Sequence, residues 1–109
     1  MNSISVRLAD LRPGQPRRLI VDGVAVALVR VGDDVFAVDD VCSHAEVSLS
    51  EGEVSGCEIE CWLHGSRFDL RTGDPSGPPA YEPIATFPVQ IEGQGDEAVV
   101  LVAIPEEAR

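Results

Sequence analysis

Two short segments, Cys42-Ser43-His44 and Cys61-Trp62-Leu63-His64, hold the only two histidines of the chain and two of its three cysteines. Each segment pairs a thiolate with an imidazole. One residue separates the two donors in the first segment and two separate them in the second. Residues 45–60 lie between the pairs, so a fold that uses them together has to bring two loops onto one point. Soft sulfur and borderline nitrogen donors grouped in this way suit a transition-metal site. Tetrahedral zinc accepts two cysteines and two histidines, but zinc modules usually bring their cysteines as one close pair and their histidines as another. Here each pair is mixed. An iron–sulfur centre with both cysteines on one iron and both histidines on the other accounts for the mixing and is the favoured reading. Zinc and a metal-free domain are the two alternatives.

The residues around the pairs extend the pattern. Gly65-Ser66-Arg67-Phe68-Asp69 follows the second pair, and Gly77-Pro78-Pro79-Ala80 lies further on. Together with the ligand pairs, these stretches resemble the Rieske family over about residues 38 to 88, where a His-Gly-Ser run follows the second pair and a proline-rich loop covers the cluster. The resemblance implies one Rieske-type 2Fe-2S cluster. Cys42 and Cys61 would hold the inner ferric ion and His44 and His64 the outer, reducible iron near a solvent-facing tip. Ser66, Gly65, Pro78 and Pro79 would surround it.

The same comparison separates branches of the family. Its high-potential members carry a disulfide between the ligand loops, with one cysteine beyond the first ligand pair and one directly before the second histidine. Val47 and Leu63 stand at those places. Those members also place a tyrosine two residues after the serine, where Phe68 stands here. One of two hydroxyl hydrogen bonds to sulfur, that of Ser66, is left to tune the metal. The implied branch is the low-to-intermediate potential one, as in the soluble Rieske ferredoxins of aromatic-ring dioxygenase systems. Formal charge suits that role: the oxidised core carries about +2, and two thiolates with two neutral imidazoles bring it to about zero, where four thiolates would leave about −2. Accepting one electron is then easier.

Cys57 is the third cysteine. It begins Cys57-Glu58-Ile59-Glu60-Cys61, where alternation puts Cys57, Ile59 and Cys61 on one face of a strand, and a buried packing role is expected for it. An odd cysteine count without a secretory start fits a reducing cytosol. The amino terminus lacks the basic and apolar stretches of a signal peptide, and no apolar run reaches the length of about 18 residues that a membrane span needs. The expected location is therefore the cytoplasm. Net charge is −11, with 19 acidic against 8 basic residues. Nucleic acid and anionic membrane are poor partners for such a surface, whereas proteins with basic patches are favoured.

At 109 residues the chain is one domain. Its pattern is short strands and tight turns. Residues 4–8 alternate, 17–21 and 24–31 are joined by Asp22-Gly23, a strong hairpin signal, and 35–38 follow the turn at 32–34. Strands are also expected over 57–61, 66–70, 85–91 and 97–104, with any helix in 44–50 short and the tail 105–109 loose. The fold class is all-β, and the resemblance implies a Rieske-type antiparallel β-sandwich base, about 1–40 and 83–109, with an inserted cluster-binding part, about 41–82.

Both histidines are committed to the cluster, so none remain for the mononuclear iron of a terminal oxygenase. No Gly-rich nucleotide fingerprint marks a reductase. The expected function is a monomeric one-electron carrier, not itself an enzyme, between a flavin-dependent ferredoxin reductase and a terminal non-haem iron oxygenase. The alternative is a Rieske-fold accessory module, such as a nitrite-reductase small subunit or a partner of iron–sulfur cluster assembly.

Overall fold

The computed structural model describes residues 2–21, 23–42, 47–63, 65–76 and 82–104. Asp22, His44, His64, Pro78, Pro79 and the tail 105–109 lie outside the described residues. Among the described residues there is no α-helix, and ten strands form three antiparallel sheets.

The middle sheet has the order β2-β3-β4-β8, where β2 is Arg17–Val21, β3 Val24–Val31, β4 Asp34–Asp39 and β8 Thr86–Phe87. β2 and β3 form the hairpin announced by Asp22-Gly23, with Val21 opposite Val24. On one side lies a sheet of β1 (Asn2–Arg7), β10 (Val99–Ile104) and β9 (Val89–Glu92), in the order β1-β10-β9. On the other side lies a sheet of β5 (Glu53–Ser55), β6 (Glu58–Glu60) and β7 (Arg67–Asp69).

β3 explains the layering. Its alternate residues Val26 and Leu28 join a core with Val100, Val102 and Ile104, while Ala27 and Val29 join a second core with Ile59, Phe68 and Leu70. A strand buried on both faces needs apolar residues at every position, and Val24-Ala25-Val26-Ala27-Leu28-Val29 supplies them without interruption. Each fully buried Val, Leu or Phe contributes about 1.5–3 kcal/mol, so the middle sheet stabilises the outer sheet and the small β5–β7 sheet at once.

Three expectations change in detail. The strand expected over 85–91 is two strands: Pro88 has no N–H to continue a ladder, and there the chain leaves β4 for the opposite sheet, with the Pro88 carbonyl accepting from Ala103 N–H at 3.1 Å. The strand expected over 57–61 occupies Glu58–Glu60, and β5, too short and polar to show periodicity, pairs with it through Val54 and Ile59. Cys57 sits in the turn before β6, half-buried and outside both cores, which corrects its expected role as a core residue. In the described part of 44–50, a 3₁₀ turn begins at Leu49 and runs to Glu51.

Candidate metal centre

Cys42, of the first candidate pair, lies just beyond the middle sheet. After β4, Val41 bridges Ser48, and the Cys42 N–H donates to the Val47 carbonyl at 3.1 Å. Those contacts close the stem of the loop that contains His44. The second pair sits on the connection between β6 and β7. There the Cys61 N–H donates to the Ser66 carbonyl at 2.6 Å, and the Gly65 N–H donates to the Cys61 carbonyl at 3.0 Å. Gly65 adopts φ +77°, a left-handed conformation that side chains disfavour, which lets the chain reverse within a few residues.

Cys42 is 3% exposed and Cys61 0%, and both belong to the core that holds Leu49, Ile59, Phe68 and Leu70. The structure thus brings the two cysteines of the sequence pattern into one buried cluster although they lie on separate loops. None of the three cysteines forms a disulfide. His44 and His64 lie outside the described residues, and among the described residues no three metal-ligating side chains converge. The proline-rich loop is anchored at both ends: Pro75 bridges Phe68, Ser76 N–H donates to the Arg67 carbonyl at 2.9 Å, and Ile84 N–H donates to the Gly73 carbonyl at 2.9 Å. Pro78 and Pro79 lie outside the described residues.

Ser66 tests whether the site suits a cluster. It is fully buried beside Cys61, and among the described residues its hydroxyl has no partner. Leaving such a group unsatisfied costs about 1–3 kcal/mol. A sulfur-rich cluster would provide the missing acceptor if Cys42 and Cys61 held it, so the donor set and the orphaned hydroxyl both fit a 2Fe-2S group. Phe68, fully buried in the same core, offers an apolar ring in place of a second hydroxyl.

The surroundings are acidic. Residues 41–82 hold eight carboxylates (Glu46, Glu51, Glu53, Glu58, Glu60, Asp69, Asp74 and Glu82) against Arg67 and Arg71. Both arginines are paired, Arg67 with Glu60 at 3.3 Å and Arg71 with Asp69 at 3.2 Å. Hydrogen bonds from Arg71 hold the Asp69 carboxyl below the usual carboxylate range, so it is charged at neutral pH. Next to the cysteines, Trp62 is 52% exposed, and Leu63 and Val41 are also exposed, so the loop ends present apolar side chains within an acidic surround. Sequence reasoning did not single out Trp62 or Val41, and it noted Leu63 only as standing where a disulfide cysteine would be. It also missed Asp40, a carboxylate buried at the foot of the first ligand loop.

Residues 4–88 match the family described as the Rieske [2Fe-2S] domain. The chain belongs to the Rieske family. This Rieske domain is 40% identical to ferredoxin CarAc of Metapseudomonas resinovorans over 96 residues, a match covering 84% of this chain and 90% of that protein. Among solved structures it resembles the ferredoxin of carbazole 1,9a-dioxygenase from Nocardioides aromaticivorans IC177, with 40% identity, a TM-score of 0.86 and coverage of 94% of this chain and 98% of that one. It also resembles the ferredoxin in a complex of reduced oxygenase and oxidised ferredoxin in carbazole 1,9a-dioxygenase, with 37% identity, a TM-score of 0.80 and coverage of 90% and 99%. As a Rieske domain of this kind, the chain carries a Rieske-type 2Fe-2S cluster and is an electron-transfer component rather than a catalytic one.

The buried hydroxyl leads to a measurable expectation. Ser66→Ala should lower the reduction potential of the Rieske cluster, because a donor to sulfur stabilises the negative charge added on reduction. Protein-film voltammetry of the two proteins measures this, and equal potentials would show that the Ser66 hydroxyl does not reach the cluster.

Proposed function

We propose that Cys42 and Cys61 hold one iron of the cluster, that His44 and His64 hold the other, and that the chain carries single electrons from a flavin-dependent reductase to a terminal non-haem iron oxygenase acting on an aromatic compound. The carrying observation is the meeting of Cys42 and Cys61 in one core beside the orphaned Ser66 hydroxyl. The relative solved together with its oxygenase supports the acceptor. We assign residues 41–82 as the part that builds the centre and 1–40 with 83–109 as its base. Ser66, Gly65, Pro78 and Pro79 shape its surroundings.

When bound, the cluster supplies one-electron exchange. The residues supply the rest. The two buried cysteines keep one end of the site dry, and the hydrogen bond from the Gly65 N–H to the Cys61 carbonyl closes the turn at the second pair. Trp62, Leu63 and Val41 offer an apolar contact for a partner, and the carboxylates around them select a basic one. A carrier has to release each partner in turn, so the chain acts as a cytoplasmic monomer forming brief complexes. No helix of the described residues is long and apolar enough to cross a membrane.

Two linked results test this reading. A terminal oxygenase supplied with reductase should turn over substrate only when this chain is added. The rate should fall with added salt, because the Debye length shrinks from about 10 Å at 0.1 M to about 3 Å at 1 M. Turnover independent of the chain, or a tight complex indifferent to salt, would contradict a mobile carrier.

A further inference from the structure

Asp40 is the one buried charged side chain among the described residues, at 1% exposed. A carboxylate removed from water is costly unless donors surround it, and here they come from three directions. Arg18 Nε of β2 donates to Oδ2 at 3.0 Å, the Ser48 hydroxyl donates to the same oxygen, and the Ser50 N–H donates to Oδ1 at 2.7 Å. The main chain of Asp40 adds two more links: its N–H donates to the Ala25 carbonyl of β3 at 3.0 Å, and its carbonyl accepts from Leu49 N–H at 2.6 Å. Ser48 and Ser50 also share a hydroxyl–hydroxyl hydrogen bond at 2.8 Å.

These contacts converge on the two legs of a single loop. Asp40 lies two residues before Cys42 on the outgoing leg, and Ser48, Leu49 and Ser50 form the returning leg. The loop between them, closed by the Cys42–Val47 hydrogen bond, contains His44. The carboxylate therefore ties both legs to each other and, through Arg18, to the middle sheet.

We propose that Asp40, with Ser48 and Arg18, is a positioning residue for electron transfer, fixing the stem of the Cys42–His44 loop so that the cluster is held in one geometry relative to its partners. The inference rests on the assignment of Cys42 and His44 as ligands. A site built for fast exchange needs its supporting groups locked by hydrogen bonds, and a charged acceptor with three donors is stronger than neutral contacts. Loosening it spreads the ligand geometry without removing a ligand.

The decisive variant is Ser48→Ala, which removes one donor to Asp40 and changes no charge, so any effect reads geometry. Ser48→Thr restores the hydroxyl, and Asp40→Asn weakens the whole clamp by facing Arg18 with an amide. The reduced proteins are compared by electron paramagnetic resonance, iron content, thermal unfolding and the rate of electron delivery to an oxygenase. Ser48→Ala and Asp40→Asn should keep iron but broaden the resonance lines and slow delivery several-fold, with Ser48→Thr returning both to the parent values. Parent line shapes and rates in Ser48→Ala, even with a lowered unfolding midpoint, would reduce the clamp to a structural contact and overturn the proposal. If Asp40→Asn does not fold, the Ser48 pair decides alone. A parent protein without a Rieske resonance would instead overturn the ligand assignment, which keeps the two failures distinct.

Discussion

Replacing either His44 or His64 by alanine is expected to abolish the native cluster. Removing one imidazole leaves an iron with three donors and an opening to water. No spare histidine exists to take its place, since these are the only two in the chain. The purified variants should lose the red-brown colour and the electron paramagnetic resonance signal expected of the reduced parent protein. The strands should persist, because both cores are built on side chains of the strands themselves, Val26, Leu28, Val100 and Val102 in one and Ala27, Val29, Ile59 and Phe68 in the other. Cys57→Ser is the matched control: Cys57 is half-buried in a turn and outside both cores, so its variant should keep the full visible spectrum. A histidine variant with undiminished colour and iron would show that the assigned ligand is wrong.

Gly52→Ala is expected to be strongly destabilising although it lies away from the candidate ligands. A β-carbon built at Gly52 would overlap the main-chain carbonyl of Glu60, the residue directly before Cys61. The contact is with backbone rather than with a flexible side-chain end, so relief requires the start of β5 and the end of β6 to separate. Overpacking of this kind costs about 3 kcal/mol at the upper end of its usual range. For a domain of this size that corresponds to a fall in Tm of roughly 10–20 °C. Ser55→Ala, at an exposed position of β5, should stay within about 0.5 kcal/mol of the parent. Thermal unfolding of the loaded proteins, with visible absorbance as a second signal, measures both. An unchanged midpoint for Gly52→Ala would show that β5 is free to move away from β6 at little cost.

How far the fold was legible depended on whether its signals were local. The hairpin at Asp22-Gly23 and the alternation of residues 4–8 are short-range patterns, as is the strand expected over 97–104, and the observed strands overlap them, with β1 ending at Arg7 and β10 beginning at Val99. The mixed Cys/His pairs pointed to two loops converging, and of their four side chains the structure describes Cys42 and Cys61, which share one core. Other features depend on distant residues. The uninterrupted apolar run of β3 reads as a strand from sequence, but that it is sandwiched between two cores follows only when the β5–β7 sheet is seen on its second face. The break at Pro88 was visible as a proline, yet the change of sheet it causes depends on β4 and β10. Asp40 was one acidic residue among 19. Its burial comes from Arg18, Ser48 and Ser50, which no local pattern connects to it. Cys57 was misread because alternation was extended one step past the end of β6 into its turn.

The most direct test of the account is a single anaerobic mixing experiment. The chain, reduced in advance and freed of reductant, is mixed with an oxidised terminal oxygenase, and its visible absorbance is followed. The carrier reading predicts that absorbance recovers to the oxidised spectrum with one electron leaving per molecule, and that the product chain separates from the oxygenase on a sizing column. Absorbance that stays at the reduced level, while the two proteins elute as one lasting complex, would contradict it.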